Sequence, residues 1–123
     1  MNILAIEDCM VNYFLLEGIL NDYHIDRISS LNEATSINYS DYQLIFLDLN
    51  LEVILNDKTR QIESGMPIYQ HIRKSSDVPI IFFTAYPYDS IKNYISDDKN
   101  SYYLSKHFQS EDLIDLVNAI TRL

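Results

Sequence analysis

Several short apolar runs in this chain end abruptly in a side chain that can take part in phosphoryl or metal chemistry. The side chains at these ends are three carboxylates, one hydroxyl and one amine: Glu7, Asp8, Asp48, Thr84 and Lys106. The run before Asp48 contains no alternating polar residues, which is typical of a strand buried on both faces. Because an unpaired charge inside such a sheet costs several kcal/mol or more, we expect Asp48 at the carboxyl end of the strand, where doubly wound α/β folds place their ligands.

These five side chains predict a magnesium-dependent site for a phosphoryl group. Carboxyl ends of parallel strands open on one edge of the sheet, so the side chains can converge there. Three carboxylates at close range repel each other and raise each other's pKa, and a hard divalent cation such as Mg²⁺ removes that conflict. A lysine and a hydroxyl supply a point charge and a hydrogen-bond donor to a phosphoryl group. An aspartate can also attack phosphorus to form an aspartyl phosphate.

Each of these residues taken alone has an ordinary explanation. Glu7 and Asp8 could be solvated turn residues, Asp48 could cap the next element, and Lys106 could lie on the surface. The interpretation as a site rests on their falling at successive strand ends of one fold.

Length and composition indicate one globular domain, residues 1–123, with no separate output domain. The 123 residues can bury a core without disulfides or metals, and 47% of them are hydrophobic. A net charge of −9 argues against a nucleic-acid surface, which needs a basic stripe. Cys9, the only cysteine, excludes an internal disulfide and favours a reducing compartment; it is expected to be a small core residue rather than a reactive thiol.

The N-terminus does not have the pattern of a signal peptide, and no apolar stretch approaches the roughly 20 residues that cross a bilayer. The sequence therefore predicts a cytoplasmic protein without membrane association.

Strands and helices alternate along the chain, which indicates a parallel sheet covered on both sides. The strands are predicted at residues 2–6, 24–28, 42–47, 78–83 and 101–104, and the helices at 11–20, 31–39, from Pro67 onwards, at 90–96 and from Ser110 onwards. The apolar positions of the first helix predict a single buried face; they are Val11, Phe14, Leu15, Gly18 and Ile19. Residues 49–64 show no sustained period and are predicted to form a long loop with at most one turn of helix.

The sequence resembles the receiver domain of two-component response regulators over nearly its whole length. The matching segments are Ile3-Leu4-Ala5-Ile6-Glu7-Asp8, Leu44-Ile45-Phe46-Leu47-Asp48-Leu49, Ile80-Ile81-Phe82-Phe83-Thr84-Ala85 and Tyr103-Leu104-Ser105-Lys106-His107-Phe108. The resemblance implies a flavodoxin-like, five-stranded doubly wound sheet with strand order 2-1-3-4-5.

The same resemblance implies a role for each site residue. Asp48 would accept a phosphoryl group from a phosphohistidine of a histidine kinase or phosphotransfer protein. Mg²⁺ would be bound by Asp8, Asp48 and the backbone carbonyl of Asn50, with Glu7 acting through water. Thr84 and Lys106 would hold the phosphoryl group, and Tyr103 would signal its presence together with Thr84. The phosphorylated domain would then act on a downstream protein target.

Two features depart from the family's pattern. The segment between Asp48 and Gly65 is longer than the usual loop before the third helix, and we expect an insertion outside the sheet core that acts as a recognition element or lid. His107 stands where proline normally follows the lysine.

Two other functions stay open at this point. One is a magnesium-dependent phosphohydrolase that works through an aspartyl phosphate, since Asp48-Leu49-Asn50 faintly resembles the motif of such enzymes. The other is a receiver-like binding module that signals without phosphate. Apart from its own phosphorylation and dephosphorylation, the chain is not expected to be an enzyme.

Overall fold

Five parallel strands form the central sheet, in the order β2-β1-β3-β6-β7. A computed structural model describes residues 1–49, 51–55, 58–62 and 65–122. The strands of the chain are β1 (Asn2–Ile6), β2 (His24–Ile28), β3 (Leu44–Leu47), β4 (Leu51–Leu55), β5 (Lys58–Ile62), β6 (Ile80–Thr84) and β7 (Ser101–Ser105). This order is the predicted 2-1-3-4-5 arrangement, counted over the strands of the central sheet, so the predicted fold class is confirmed.

Helices cover both faces of this sheet. They are α1 (Met10–Ile19), α2 (Leu31–Ala34), α3 (Gly65–Arg73), α4 (Lys92–Ile95) and α5 (Ser110–Thr121), with short 3-10 turns at Tyr39–Asp41 and Tyr88–Ser90. One apolar cluster lies beneath α2, α3 and α4, and a second lies beneath α1 and α5. The strands β1, β3 and β6 are apolar on both faces because each face meets one of these clusters.

The buried face of α1 differs from the predicted one. Leu16 and Leu20 point into the core, with exposures of 0% and 4%, whereas Val11, Phe14 and Leu15 are 74%, 57% and 45% exposed. The helix carries two apolar stripes, and the predicted one is the outer stripe. Cys9 at the start of α1 is also exposed, so its expected place in the core is wrong.

The segment after β3 forms an antiparallel hairpin rather than the predicted loop. Leu51 of β4 lies opposite Ile62 of β5, and Leu55 lies opposite Lys58. In the described part of the chain these two strands form a sheet of their own, apart from the central one, as expected for an insertion. The hairpin returns to its starting point, since the Gly65 N–H donates to the Leu49 carbonyl at 3.3 Å.

At the amino edge of the sheet, Asp98 joins α3 to the segments that enter β6 and β7. One carboxylate oxygen of Asp98 accepts from Tyr69 Oη and Arg73 Nε, both at 2.6 Å, and from Ser101 Oγ at 2.7 Å. The Arg73 guanidinium also donates to the carbonyls of Val78 and Asn100. Burial alone would raise the pKa of Asp98, but these hydrogen bonds outweigh it and hold the pKa well below its ordinary value.

No helix among the described residues is long and apolar enough to cross a membrane.

The closed base of the hairpin predicts that residues 51–62 can be removed without loss of the fold. Replacing them with a short glycine-serine linker should change the free energy of unfolding by less than about 1 kcal/mol, because closure entropy depends weakly on loop length. Urea unfolding followed by circular dichroism measures this change. Loss of cooperative unfolding would show instead that hairpin residues belong to the core.

The Asp98 network predicts a stability loss for Asp98→Asn. At pH 7 the free energy of unfolding should fall by about 2–3 kcal/mol, since charged hydrogen bonds contribute about 1.5–3 kcal/mol each. Because the folded-state pKa is depressed, this stabilisation is present above the unfolded-state pKa and is lost as the pH falls through the folded-state value. The difference from wild type should therefore shrink below about pH 4. The exposed neighbour Asp97 supplies the control: Asp97→Asn should behave as wild type.

Candidate functional site

Three carboxylates meet at the carboxyl edge of the central sheet. One ligand atom each of Glu7, Asp8 and Asp48 lies within 4.8 Å of the others. Pairing of β1 with β3 sets this proximity, because Ile6 lies opposite Leu47 and the next residues are Glu7 and Asp48. Glu7 and Asp48 are only 1% and 2% exposed, so their charges are removed from water and require a cationic partner.

Lys106 supplies the positive charge that these acids need. Its Nζ lies 2.9 Å from Asp48 Oδ2 and 3.2 Å from Glu7 Oε2. The ammonium group also lies 5.7 Å from the centre of the Phe83 ring on β6. Burial of the ammonium lowers the pKa of Lys106, but the hydrogen bond and the charge of Asp48 outweigh burial, so the pKa is raised. Lys106 is therefore held as a cation.

The charge of Glu7 is only partly compensated by Lys106. Burial, followed by the charge of Asp48, raises the pKa of Glu7 to about 7, against the lowering effect of Lys106. The Cys9 N–H donates to Oε1 at 3.1 Å. In the described part of the chain Oε2 has no hydrogen-bond partner, although it forms the ion pair with Lys106. A buried oxygen without a donor suits a hard cation, so the three carboxylates fit Mg²⁺.

Arg27 supports the two acids that follow β1. Its Nε donates to the Glu7 carbonyl at 2.9 Å, and its Nη2 donates to the Asp8 carbonyl at 3.1 Å. In the sequence, Arg27 is only one residue of the strand predicted at 24–28. A side chain that binds backbone carbonyls leaves no pattern that identifies it in advance.

Gly65 allows the start of α3 to pack directly against the backbone of Asp48 and Leu49. A Cβ added at Gly65 would lie 2.5 Å from Leu49 Cα and 2.6 Å from the Asp48 carbonyl oxygen. No side chain fits in that space, so glycine is required for this close approach. In the sequence, Gly65 only marks the end of the long segment. The scarcity of glycine, two residues in the whole chain, is the signal that could have identified its role.

Thr84 and Tyr103 are connected through the backbone of Tyr86. Thr84 is 1% exposed, and its Oγ1 accepts from the Tyr86 N–H at 3.2 Å. The hydroxyl of Tyr103 donates to the Tyr86 carbonyl at 2.7 Å. The half-buried Tyr103 ring also meets the ring of Tyr88 edge-on, with the two centres 5.5 Å apart.

The structure thus brings together the predicted acids and Lys106, with Thr84 on the adjoining strand end. Asn50 lies outside the described residues. His107 is exposed, and its N–H donates to Ser105 Oγ at 3.1 Å. A buried nucleophilic carboxylate, a cation beside it and a group of oxygen ligands are what phosphoryl transfer to aspartate requires.

Comparisons with known proteins match the chain to one family. A family model described as the response regulator receiver domain matches residues 3–118. The response regulator ArlR of Staphylococcus haemolyticus is 31% identical over an alignment of 131 residues that includes 98% of this chain and 52% of ArlR. The chain spans 39% and 52% of the lengths of two curated relatives that it matches.

Solved structures show the same architecture. A two-component response regulator from Clostridium difficile is 30% identical, with a TM-score of 0.76 over 99% of this chain and 96% of that one. The receiver domain of the sensor histidine kinase PA1611 from Pseudomonas aeruginosa, solved with a magnesium ion in its active site cleft, is 24% identical, with a TM-score of 0.72 over 96% of this chain and 94% of that one.

The raised pKa of Glu7 predicts how stability depends on pH in the absence of divalent metal. Between about pH 4.5 and 7 the folded chain keeps a proton that the unfolded chain has released, so the free energy of unfolding should fall as the pH rises through this window. The fall should amount to a few kcal/mol at most, since one pKa unit corresponds to about 1.4 kcal/mol.

Urea unfolding in EDTA at several pH values measures this dependence. Glu7→Gln should remove most of the decline, whereas the matched variant Glu111→Gln, on the exposed surface of α5, should keep it. Adding Mg²⁺ at pH 7.5 should stabilise the wild type by binding to the ionised acids. A decline that persists unchanged in Glu7→Gln would contradict the assignment to this carboxyl.

Proposed function

The chain belongs to the family of response regulator receiver domains of two-component systems, and on that premise we propose that Asp48 is its phosphoacceptor. The observation that carries the proposal is the position of the Asp48 carboxylate. It is buried at the carboxyl edge of the sheet, grouped with two further acids and 2.9 Å from Lys106 Nζ.

The phosphoryl group would come from a phosphohistidine of a histidine kinase or phosphotransfer protein. An Asp48 carboxylate oxygen forms the new bond to phosphorus while the bond between phosphorus and the imidazole nitrogen breaks. The electron pair of that bond leaves with the imidazole. The step needs no general base, because a carboxylate oxygen is itself the nucleophile, and catalysis consists of positioning and of charge compensation by the Lys106 cation.

Glu7, Asp8 and Asp48 would hold Mg²⁺ at this site, together with the Asn50 carbonyl proposed from the sequence. When bound, the ion offsets the charge of the acids and of the phosphoryl oxygens. The Arg27 contacts to the Glu7 and Asp8 carbonyls support this role by restraining the backbone of both acids.

Lys106 would pair with a phosphoryl oxygen once Asp48 is modified. Its Nζ already lies beside the Asp48 carboxylate, so a small movement of its flexible stem reaches a group attached there. Its charge makes it a point-charge partner for an anion.

Thr84 and Tyr103 would report the phosphorylated state. If the Thr84 hydroxyl turns to donate to a phosphoryl oxygen, its contact with the Tyr86 N–H changes, and the Tyr86 carbonyl is the acceptor for Tyr103. The peptide units of Tyr86 therefore link the site to a half-buried aromatic ring at the surface. A downstream protein target would recognise the rearranged surface.

Receiver domains are not conventional turnover enzymes, and we propose that the chain catalyses only its own phosphorylation and dephosphorylation. Cys9 is an exposed free thiol, which favours a reducing compartment and supports a cytoplasmic reaction.

The proposal predicts phosphorylation by a small-molecule donor. Incubation with phosphoramidate and Mg²⁺ should add one phosphoryl group, measured as intact mass, and EDTA should prevent the addition. Asp48→Asn should abolish it, whereas the exposed carboxylate variant Asp115→Asn on α5 should be modified as fast as wild type. Lys106→Ala should slow the reaction at least tenfold while keeping its requirement for Mg²⁺.

An unchanged mass gain in Asp48→Asn would reject Asp48 as the acceptor. Sustained release of phosphate from p-nitrophenyl phosphate would favour the phosphohydrolase, and a chain that neither binds Mg²⁺ nor gains mass would favour a phosphate-independent binding module.

A further inference from the structure

Arg27 on β2 holds the segment that connects β1 to α1. In the pairing of the two strands it lies opposite Ala5, two residues before Glu7, so its side chain reaches forward past the end of β1. There its Nε donates to the Glu7 carbonyl at 2.9 Å, and its Nη2 donates to the Asp8 carbonyl at 3.1 Å. One guanidinium therefore binds two consecutive carbonyls of the main chain.

Both backbone polar groups of Glu7 are bound by β2. Its N–H donates to the Ile28 carbonyl at 3.0 Å, and its carbonyl accepts from Arg27. The next carbonyl, that of Asp8, is bound by the same planar group, whose donors have a fixed geometry. These three hydrogen bonds restrain three consecutive peptide units, which form the backbone from which the Glu7 and Asp8 side chains project.

We propose that Arg27 is a positioning residue for the metal: it presets the backbone of Glu7 and Asp8, so that their carboxylates converge with Asp48 before Mg²⁺ binds. This inference rests on the proposed function of the three acids as a Mg²⁺ site. Magnesium requires nearly ideal octahedral geometry, and ligands that are already in place lose less conformational entropy when it binds. Hydrogen bonds that orient metal ligands typically change metal affinity by about 10–100-fold.

The charge of Arg27 and its hydrogen bonds act on Mg²⁺ in opposite directions. A guanidinium near the site repels a second cation, so its charge by itself weakens Mg²⁺ binding. The hydrogen bonds to the two carbonyls strengthen binding, because they position the ligands. Removal of the side chain therefore distinguishes the two effects by sign: a charge effect alone predicts tighter binding, and positioning predicts weaker binding.

Arg73 provides a matched control at the opposite edge of the sheet. Its Nη1 donates to the Val78 carbonyl at 2.6 Å and its Nη2 to the Asn100 carbonyl at 3.1 Å, so it too binds two main-chain carbonyls. Its Nε donates to the Asp98 carboxylate. Substitution of Arg73 should therefore lower the stability of the fold without disturbing the three acids at the carboxyl edge.

An NMR titration of the full chain with MgCl₂, at constant ionic strength and without a phosphodonor, tests the proposal. Arg27→Lys keeps the charge but lacks the planar fork that fits both carbonyls, and Arg27→Gln removes the charge as well. Both variants should raise the Kd for Mg²⁺ about tenfold. Arg73→Lys and Arg73→Gln should keep the Kd within about twofold of the wild-type value, although both should unfold at a lower urea concentration.

The amide of Cys9 reports on the same segment in EDTA. Its N–H donates to Glu7 Oε1 at 3.1 Å, so its protection depends on the conformation of this segment. Hydrogen exchange at this amide should be faster in Arg27→Lys than in the wild type, and unchanged in Arg73→Lys. In the wild type, Mg²⁺ should in turn slow exchange of the Arg27 Nε–H, because coupling between two sites is reciprocal.

Arg27 variants that bind Mg²⁺ as tightly as the wild type, or more tightly, would overturn the positioning role while leaving the Mg²⁺ site intact. An equal loss of affinity in the Arg73 variants would overturn it too, because general destabilisation would then explain the effect. If the Arg27 variants fail to fold, the wild-type Nε–H measurement decides, and exchange that Mg²⁺ leaves unchanged rejects the proposal. A wild type that shows no response to Mg²⁺ would refute both this inference and the proposed metal site.

Discussion

The ion pairs of Lys106 with Asp48 and Glu7 are the contacts on which the functional edge of the fold depends. Two carboxylates of this group are almost fully buried. Without a nearby cation their charges would repel each other, which would favour uptake of a proton or a change of conformation. The cation comes from the end of β7, two strands away from β3, and its ammonium lies over Phe83 on the intervening strand. Charge balance therefore depends on the parallel direction of the strands, because a parallel sheet brings the carboxyl ends of all these strands to one edge.

The central sheet and the convergence of most of the candidate site residues could be predicted, because both follow from local patterns in the sequence. A strand buried on both faces must be an uninterrupted apolar run, and a functional polar residue can follow it only where the strand ends. Glu7, Asp48, Thr84 and Lys106 follow this rule. Arg27 and Gly65 do not, because their roles depend on backbone atoms distant in sequence: Arg27 donates to two carbonyls, and Gly65 leaves room for the Asp48–Leu49 backbone. Contacts of this kind can be identified only from the folded structure, because the residues that make them are distant in sequence.

The hairpin shows another limit of sequence patterns. Alternation along a strand reveals its structure only when one face is buried and the other is solvated. Strands β4 and β5 form a two-stranded sheet separate from the central one, and Val53, Ile54 and Leu55 follow one another in the sequence without alternation. The hairpin is defined by the register in which its two strands pair, with Leu51 opposite Ile62. That register depends on both segments, so neither segment alone predicts it. The hairpin begins shortly after β3, and the chain returns at Gly65 to the backbone of Leu49, so the length of the hairpin can vary without disturbing the central sheet.

The predicted buried face of helix α1 was wrong because the helix has two apolar stripes of helical period. Periodicity alone does not say which of these stripes faces the sheet. Topology decides. A helix that joins the parallel neighbours β1 and β2 must cross on one side of the sheet, and on that side Leu16 and Leu20 meet Ile3 and Ile25 in one cluster. The hydroxyl of Tyr13 donates to the Ile25 carbonyl at 3.1 Å and fixes the rotation of the helix. The fold therefore uses one stripe completely and has no use for the other.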